Sequence, residues 1–231
     1  MYILAIDTAS SAAGAAIAAD SAVLASFHLN VGKTHSERFL PMVDFMLKSA
    51  GLALDNISAL AVTVGPGSFT GLRIGIATAK AWGQALNLPI VPVTTVEALA
   101  FAAGSGGLVC PILDARRDEV YTALFRGREQ LSPPEAVSPQ KLAERLVLLN
   151  EPVAMNGDAL PLYKELFAEY LGDNFLPAEE ERRVFMAAAV AVIGRERFLR
   201  GETVDYQKLE PFYLRSSEAE TKLKARSADA R

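Results

Sequence analysis

Two acidic residues each follow a strand-like segment, and they are the most suggestive candidates for chemistry in this sequence. Asp7 follows the apolar residues 2–6, and Asp114 follows the apolar residues 108–113. Carboxylates at the ends of two equivalent strands can hold a magnesium ion together with bound phosphates. An aspartate at this position can also form the turn that follows the strand. The residue types leave both interpretations open.

A glycine-rich segment, residues 65–75, follows the apolar residues 60–64. This order predicts a strand, a tight turn and the start of a helix, with Ser68 as the capping residue. Free amides at a helix start can hold a phosphate, but the glycine spacing matches neither the P-loop nor the dinucleotide-binding motif. Glycine destabilises a helix interior and is tolerated where another backbone packs closely. We therefore favour close helix packing over anion binding.

The remaining reactive side chains predict no catalytic centre. His28 and His35 are seven residues apart, with no cysteine or carboxylate at ligand spacing, so a metal site is not expected. Ser68 and Thr70 could act as nucleophiles only with a base nearby, and neither histidine has a local reason to be there. The single cysteine, Cys110, lies in an apolar run and is predicted to be a buried thiol. We predict no catalytic residue, no metal and no cofactor.

The elements that must position these residues form a pattern that occurs twice. The first half is predicted to contain three strands, a helix, a strand, a helix and a strand, at residues 2–7, 15–19, 23–29, 36–50, 60–64, 69–86 and 89–93. After a glycine-rich joint at residues 104–107, strands are predicted at 108–114, 119–126 and 152–155, and helices at 139–149, 161–171 and 184–199. The order predicts a duplicated α/β unit in which helices cover a mixed sheet.

Composition and charge restrict the class of protein further. The chain has 231 residues, of which 51 % are hydrophobic and 22 % charged, as is ordinary for a globular protein. A net charge of −4 argues against a protein that binds nucleic acid by itself, because such affinity comes mainly from neutralising phosphates. We find no basic leader before the first strand and no apolar run that could span a bilayer. We therefore predict a cytoplasmic protein without a membrane segment.

Several segments coincide with those of a known family. They are Ile3-Leu4-Ala5-Ile6-Asp7-Thr8, Thr34-His35-Ser36-Glu37 with Leu40-Pro41, residues 65–75, Asp114-Ala115-Arg116-Arg117 with Glu119-Val120-Tyr121, and Pro211 with Tyr213-Leu214-Arg215. In this order, and over residues 3–215, the sequence resembles the bacterial TsaB (YeaZ) family.

The resemblance implies a two-lobed actin-like ATPase fold, as in sugar kinases, Hsp70 and actin, in which each lobe is a mixed β-sheet with flanking helices. We expect an N-terminal lobe at residues 1–103 and a C-terminal lobe at 104–216. Residues 217–231 are small and charged without an apolar period, and they are predicted to be a disordered tail.

The resemblance also implies a function. The family assists transfer of the threonylcarbamoyl group from threonylcarbamoyl-AMP to N6 of adenosine 37, in tRNAs that read codons beginning with A. The implied role is a non-catalytic subunit that pairs with the catalytic paralogue TsaD, with TsaE joining and tRNA contacted only through the complex. A homodimer is possible in isolation.

One departure from the paralogue bears on catalysis. TsaD carries a His-x-x-x-His metal pair after the strand that corresponds to residues 89–93, and the matching positions here are Thr95 and Leu99. Leucine cannot ligate a metal, so an independent transferase or metallopeptidase is not expected. The alternative function is an autonomous ATPase or phosphotransferase that uses Asp7, Asp114 and the glycine-rich turn.

The helices at residues 36–50 and 69–86 are predicted to form the partner surface. The first carries more apolar residues than packing on one sheet requires, and the second carries small residues that permit close helix packing. The predicted interface residues are Phe39, Met42, Val43, Met46, Gly71, Gly75, Ala79 and Gly83. Two such helices from each subunit could form a four-helix bundle, as TsaB and TsaD pair in the family. The alternative is that both helices are wholly intramolecular.

Overall fold

The computed structural model describes residues 1–10, 12–30, 35–104, 106–178 and 186–215. Its helices are α1 (His35–Ser49), α2 (Phe69–Leu86), α3 (Thr95–Ala103), α4 (Pro139–Val147), α5 (Leu160–Leu171) and α6 (Met186–Leu199). Its strands are β1 (Ile3–Asp7), β2 (Ala13–Ala18), β3 (Val23–Leu29), β4 (Ala59–Gly65), β5 (Ile90–Thr94), β6 (Leu108–Asp114), β7 (Val120–Thr122), β8 (Phe125–Arg126), β9 (Glu129–Gln130), β10 (Glu135–Val137), β11 (Val153–Asn156) and β12 (Phe175–Pro177). The predicted tail, residues 217–231, lies outside the described residues.

The strands form two sheets with the same topology. The first sheet has the order β3-β2-β1-β4-β5, and the main path of the second is β10-β7-β6-β11-β12. In each sheet the first three strands are antiparallel neighbours, and the last two lie parallel to the central strand. Along the chain, each half therefore has the same basic order of elements: three strands, a helix, a strand, a helix, a strand and a helix. The predicted duplication is confirmed.

Three hydrophobic clusters show that the helices and sheets alternate in layers. One cluster joins α1 and α2 to the outer face of the first sheet, and another joins α4 and α5 to the second sheet. The central cluster contains α3 and α6 between the inner faces of both sheets. Because β1 and β4 are covered on both faces, every residue in them is buried, as expected for interior parallel strands.

The sequence carries clear signals for the ends of α2. The hydroxyl oxygen of Ser68 accepts a hydrogen bond from the amide of Gly71 at 3.2 Å, which confirms the predicted cap. Asn87 ends the helix in the left-handed conformation, a position that asparagine tolerates better than most residues. The predicted bounds of this helix, 69–86, are confirmed.

Some predicted elements differ from the structure. The strand predicted at 119–126 is interrupted, because β7 pairs with one part of β6 and β8 with another. Helix α3 was not predicted from its sequence pattern: it is apolar on most sides because it lies between two sheets. Strands β9, β10 and β12, each two or three residues long, were also missed.

The boundary between lobes at residue 104 stays a prediction. The two sheets divide near Gly104, which ends α3 in the left-handed conformation. However, α6 follows the second sheet in the chain and packs on β1, β2 and β4 of the first sheet. The central helices are therefore shared between the two halves of the fold.

Candidate functional site

The glycine-rich turn after β4 packs against the turn between β1 and β2 of the same chain. The amide of Ser68 donates a hydrogen bond to the carbonyl oxygen of Ala9 at 2.7 Å, and Thr8 Oγ1 donates to that of Gly71 at 2.7 Å. A Cβ atom at Gly71 would lie 2.0 Å from the carbonyl oxygen of Thr8, and one at Gly67 would lie 2.3 Å from that of Ala9. The close approach of another backbone that the glycines predict is therefore confirmed, but that backbone belongs to the β1–β2 turn and not to a second helix.

Asp7 is engaged in shaping that neighbouring turn. Its side chain is almost fully buried, with 4 % of the residue exposed. Its Oδ1 atom accepts hydrogen bonds from Thr63 Oγ1 at 3.0 Å and from the amide of Ala9 at 3.2 Å. A carboxylate that accepts the amide two residues ahead forms a turn through its own side chain. The turn-forming interpretation of Asp7 is confirmed.

Asp114 has the same local role at the end of β6. Its Oδ1 atom accepts a hydrogen bond from the amide of Arg116 at 2.7 Å, and its Oδ2 atom lies 3.0 Å from a guanidinium nitrogen of Arg116. The amide of Asp114 donates to Asp158 Oδ1 at 2.9 Å. The two acids predicted from equivalent strands thus form equivalent turns, and each already has hydrogen-bond donors.

A cleft of about 830 Å³ separates these two turn regions. One wall comes from residues 9–10 and 66–70, and the other from residues 113–117 with Tyr121, Asp158, Pro161 and Leu162. The C-terminal residues Phe212, Tyr213, Leu214 and Arg215 complete the lining. Asp114 contributes to the lining and Asp7 does not, so the cleft does not bring the two candidate acids together.

His28 and Cys110, two other candidate reactive residues, do not line the cleft. Within the described ranges, no group of three or more His, Cys, Asp or Glu residues could hold a metal ion. His28 lies in β3, while the side chain of His35 is outside the description. Burial raises the pKa of the Cys110 thiol to about 12, despite a contact of 3.2 Å with the hydroxyl oxygen of Thr122. Cys110 is thus the buried thiol that the sequence predicts.

Thr95 and Leu99, the positions that the resemblance matches to a metal-binding histidine pair, lie in the first turns of α3. Both are buried between the two sheets. The carbonyl oxygen of Leu99 accepts a hydrogen bond from Asn156 Nδ2 at 2.8 Å, which joins α3 to the end of β11. These positions therefore belong to the packed centre of the fold.

The predicted partner residues on α1 and α2 lie in the core of the chain itself. All eight residues are buried, and the most exposed of those with a side chain, Met42, is 9 % exposed. They are Phe39, Met42, Val43, Met46, Gly71, Gly75, Ala79 and Gly83. The sheet beneath them and the β1–β2 turn cover them. Contact between these residues and a partner stays a prediction.

Besides the eight predicted interface residues, α1 and α2 carry apolar residues that remain exposed. Leu40 is 51 % exposed and Phe45 is 60 % exposed on α1. On α2 the exposed small residues Ala77, Ala81 and Ala85 recur every four positions. The sequence gives a signal for these residues, because Leu40 and Phe45 lie three or four positions from Glu37, Asp44 and Lys48, which are exposed polar residues of the same helix.

Comparison with known proteins identifies the family. Residues 29–223 match the family model described as TsaD: tRNA N6-adenosine threonylcarbamoyltransferase. The chain is 35 % identical to the tRNA threonylcarbamoyladenosine biosynthesis protein TsaB of Bacillus subtilis over 228 residues, covering 96 % of this chain and 97 % of the relative.

Solved structures agree with that similarity. YeaZ from Pseudomonas aeruginosa superposes with a TM-score of 0.70 at 26 % identity, covering 92 % of this chain and all of the other. The ROK hexokinase from Thermus thermophilus superposes with a TM-score of 0.52 at 12 % identity, covering 86 % of this chain and all of the other. The second likeness concerns the fold alone and confirms the predicted two-lobed class. The chain therefore belongs to the TsaB (YeaZ) family.

Proposed function

We propose that this chain is a non-catalytic subunit in the synthesis of threonylcarbamoyladenosine on tRNA. It pairs with TsaD, with TsaE joining, and supports transfer of the threonylcarbamoyl group to adenosine 37. The observation that carries the proposal is the near full-length similarity to a TsaB protein named for this biosynthesis. The proposed place of action is the cytoplasm, where tRNA is modified in bacteria. In the part of the chain that the structure describes, no helix is long and apolar enough to cross a membrane.

The outer face of α1 and α2 supports the proposal that a partner docks there. A half-exposed leucine and a more exposed phenylalanine, Leu40 and Phe45, lie on the same helix. A patch of exposed apolar side chains marks a surface that a partner can cover. The alanines at 77, 81 and 85 leave room for a second helix to approach α2. In the absence of TsaD, the same face is proposed to support a homodimer.

The interior supports a non-catalytic role. Leu99 fills the core with a side chain that cannot bind a metal, and Asp7 already accepts hydrogen bonds from Thr63 and Ala9. The chain has an excess of acidic over basic residues, 27 against 23. Contact with the tRNA phosphates is therefore proposed to come mainly from the assembled complex.

The purified chain alone is expected to transfer no threonylcarbamoyl group to tRNA. The reason is that the positions of the paralogue's metal pair are occupied by Thr95 and Leu99. The measurement supplies threonylcarbamoyl-AMP, tRNA and the chain, with and without TsaD and TsaE, and quantifies the modified adenosine. Activity that appears only when TsaD is added supports the proposal. Transfer by the isolated chain would contradict it.

Mg-ATP is expected to leave the melting temperature of the isolated chain unchanged. The carboxylates of Asp7 and Asp114 each accept a hydrogen bond from a backbone amide in their own turn. We therefore expect neither of them to bind a magnesium ion. A ligand at 100 times its dissociation constant would add about 2.7 kcal/mol of stability and give a clear thermal shift. ATP without magnesium serves as the control. A magnesium-dependent shift would favour the autonomous phosphotransferase.

A further inference from the structure

The C-terminal residues 204–215, here called the strap, run along the first half of the fold. Val204 and Ile90 exchange two backbone hydrogen bonds, of 2.8 and 3.0 Å, at the free edge of β5. Leu209 is buried among the residues of the outer cluster. The amide of Phe212 then donates to the carbonyl oxygen of Val64 at 2.7 Å. The strap is thus anchored to the first sheet until it reaches the cleft.

At the cleft, the strap contacts the beginning of α2 through an aromatic stack. The rings of Tyr213 and Phe69 have centroids 4.8 Å apart and planes inclined by 28°. The guanidinium of Arg73 lies 3.8 Å from the centroid of the Phe69 ring, on the exposed side of α2. A cation over an aromatic ring is favourable, so Phe69 is held between the strap and an exposed arginine.

Two residues further on, the strap reaches the second half of the fold. Arg215 forms an ion pair with Glu119, and both side chains are partly exposed to solvent. Glu119 belongs to the hairpin between β6 and β7, which is closed by a hydrogen bond of 3.0 Å from the amide of Ala115 to the carbonyl oxygen of Glu119. The strap therefore spans the cleft, since its two ends are held by different halves of the molecule.

We propose that the strap couples the opening of the cleft to the position of the first turn of α2. If the β6–β7 hairpin moves away from the first sheet, Arg215 either loses Glu119 or draws Tyr213 away from Phe69. The movement passes from Arg215 to Tyr213 over a short length of chain, because only Leu214 lies between them. A movement of the hairpin at the cleft thereby shifts Phe69 and the guanidinium of Arg73 on the outer surface. In the other direction, a movement of Phe69 shifts the hairpin. Neither a ligand nor a partner chain is required for this coupling.

Arg215→Glu tests the coupling by hydrogen exchange in the otherwise native full chain. Two amides report on the two ends: Ala115 in the hairpin, and Leu72, which donates to the carbonyl oxygen of Ser68 at 2.8 Å in the first turn of α2. Both are expected to exchange about two- to fivefold faster, as for the loss of one partly exposed ion pair. Faster exchange at Ala115 with no change at Leu72 would overturn the coupling, as would no change at either.

The opposite perturbation and two controls complete the test. Phe69→Leu removes the ring that stacks on Tyr213 in the first half of the fold. It is expected to accelerate exchange of the Ala115 amide in the second half. Arg200→Glu makes the same charge change in an exposed pair with Glu202, away from the cleft, and is expected to leave both amides unchanged. The double variant Arg215→Glu, Glu119→Arg is expected to restore both rates. Failure of Phe69→Leu to affect Ala115, or failure of this rescue, would count against the strap.

Discussion

Leu40→Asp is expected to weaken binding of the chain to TsaD about 100-fold or more while leaving the chain folded. Leu40 is half exposed on the outer face of α1, so a carboxylate there remains hydrated in the isolated chain. In the complex, the same carboxylate would be buried against an apolar surface without a partner, which is strongly unfavourable. The binding constant and the melting temperature of each variant should be measured together.

A matched control separates a specific surface from general surface change. Leu148, just after α4, is 83 % exposed and lies in the second half of the fold. Leu148→Asp makes the same chemical change and is expected to leave TsaD binding unaltered. Both variants should melt within about 2 °C of the parent chain, as is usual for surface substitutions. Equal binding by the Leu40→Asp variant and the parent would place the TsaD surface elsewhere.

Gly71→Ala is expected to destabilise the fold by about 3 kcal/mol. In an ordinary helix this change would add stability, because alanine has the higher helix propensity. Here the new Cβ atom would lie 2.0 Å from the carbonyl oxygen of Thr8, which is a backbone atom. The backbone atoms cannot rotate away as a flexible side chain could, so α2 and the β1–β2 turn must separate.

The control for this prediction is Gly106→Ala. A Cβ atom at Gly106 would meet nothing within 4 Å, so its substitution is expected to change stability little. Urea unfolding of both variants gives the comparison, with unchanged slope as the sign that the same transition is observed. A Gly71→Ala protein as stable as the parent would mean that the turn and α2 can move apart without cost.

The elements with local signals were predictable from the sequence. Helix α2 has a serine that caps its start and an asparagine that ends it in the left-handed conformation. Both act within a few residues, so the bounds 69–86 could be predicted without knowing the rest of the fold. In the second half, α4 has the same kind of signal, because the hydroxyl oxygen of Ser138 caps its start.

The elements that depend on distant contacts were harder to predict. Helix α3 is packed between two sheets, so it has no polar face to give the periodic pattern by which surface helices are recognised. Strands β9, β10 and β12 are too short for their own sequence to identify them, and only pairing with neighbouring strands makes them strands. Their existence depends on residues far away in the chain.

The outer helices illustrate the same division for the candidate site. The sequence of α1 shows which residues are apolar, and residues 37, 41, 44 and 48, which are not, form an exposed stripe. It does not show that Phe39, Met42, Val43 and Met46 are buried against the chain's own sheet while Leu40 and Phe45 remain more than half exposed. An apolar side chain is equally favoured against a sheet or a partner, because burial is non-directional.

The residues of this chain alone therefore determine the repeated order of elements, the packing turn at residues 65–75 and, through its motifs, the family. The tertiary structure decides which apolar surfaces remain exposed, that Asp7 and Asp114 are held by separate turns, and that the strap crosses the cleft to Glu119. Local hydrogen bonds and the periodic spacing of apolar residues involve only nearby residues, so they can be recognised from the sequence. The position of a side chain relative to distant backbone depends on how the two sheets and their shared helices pack together.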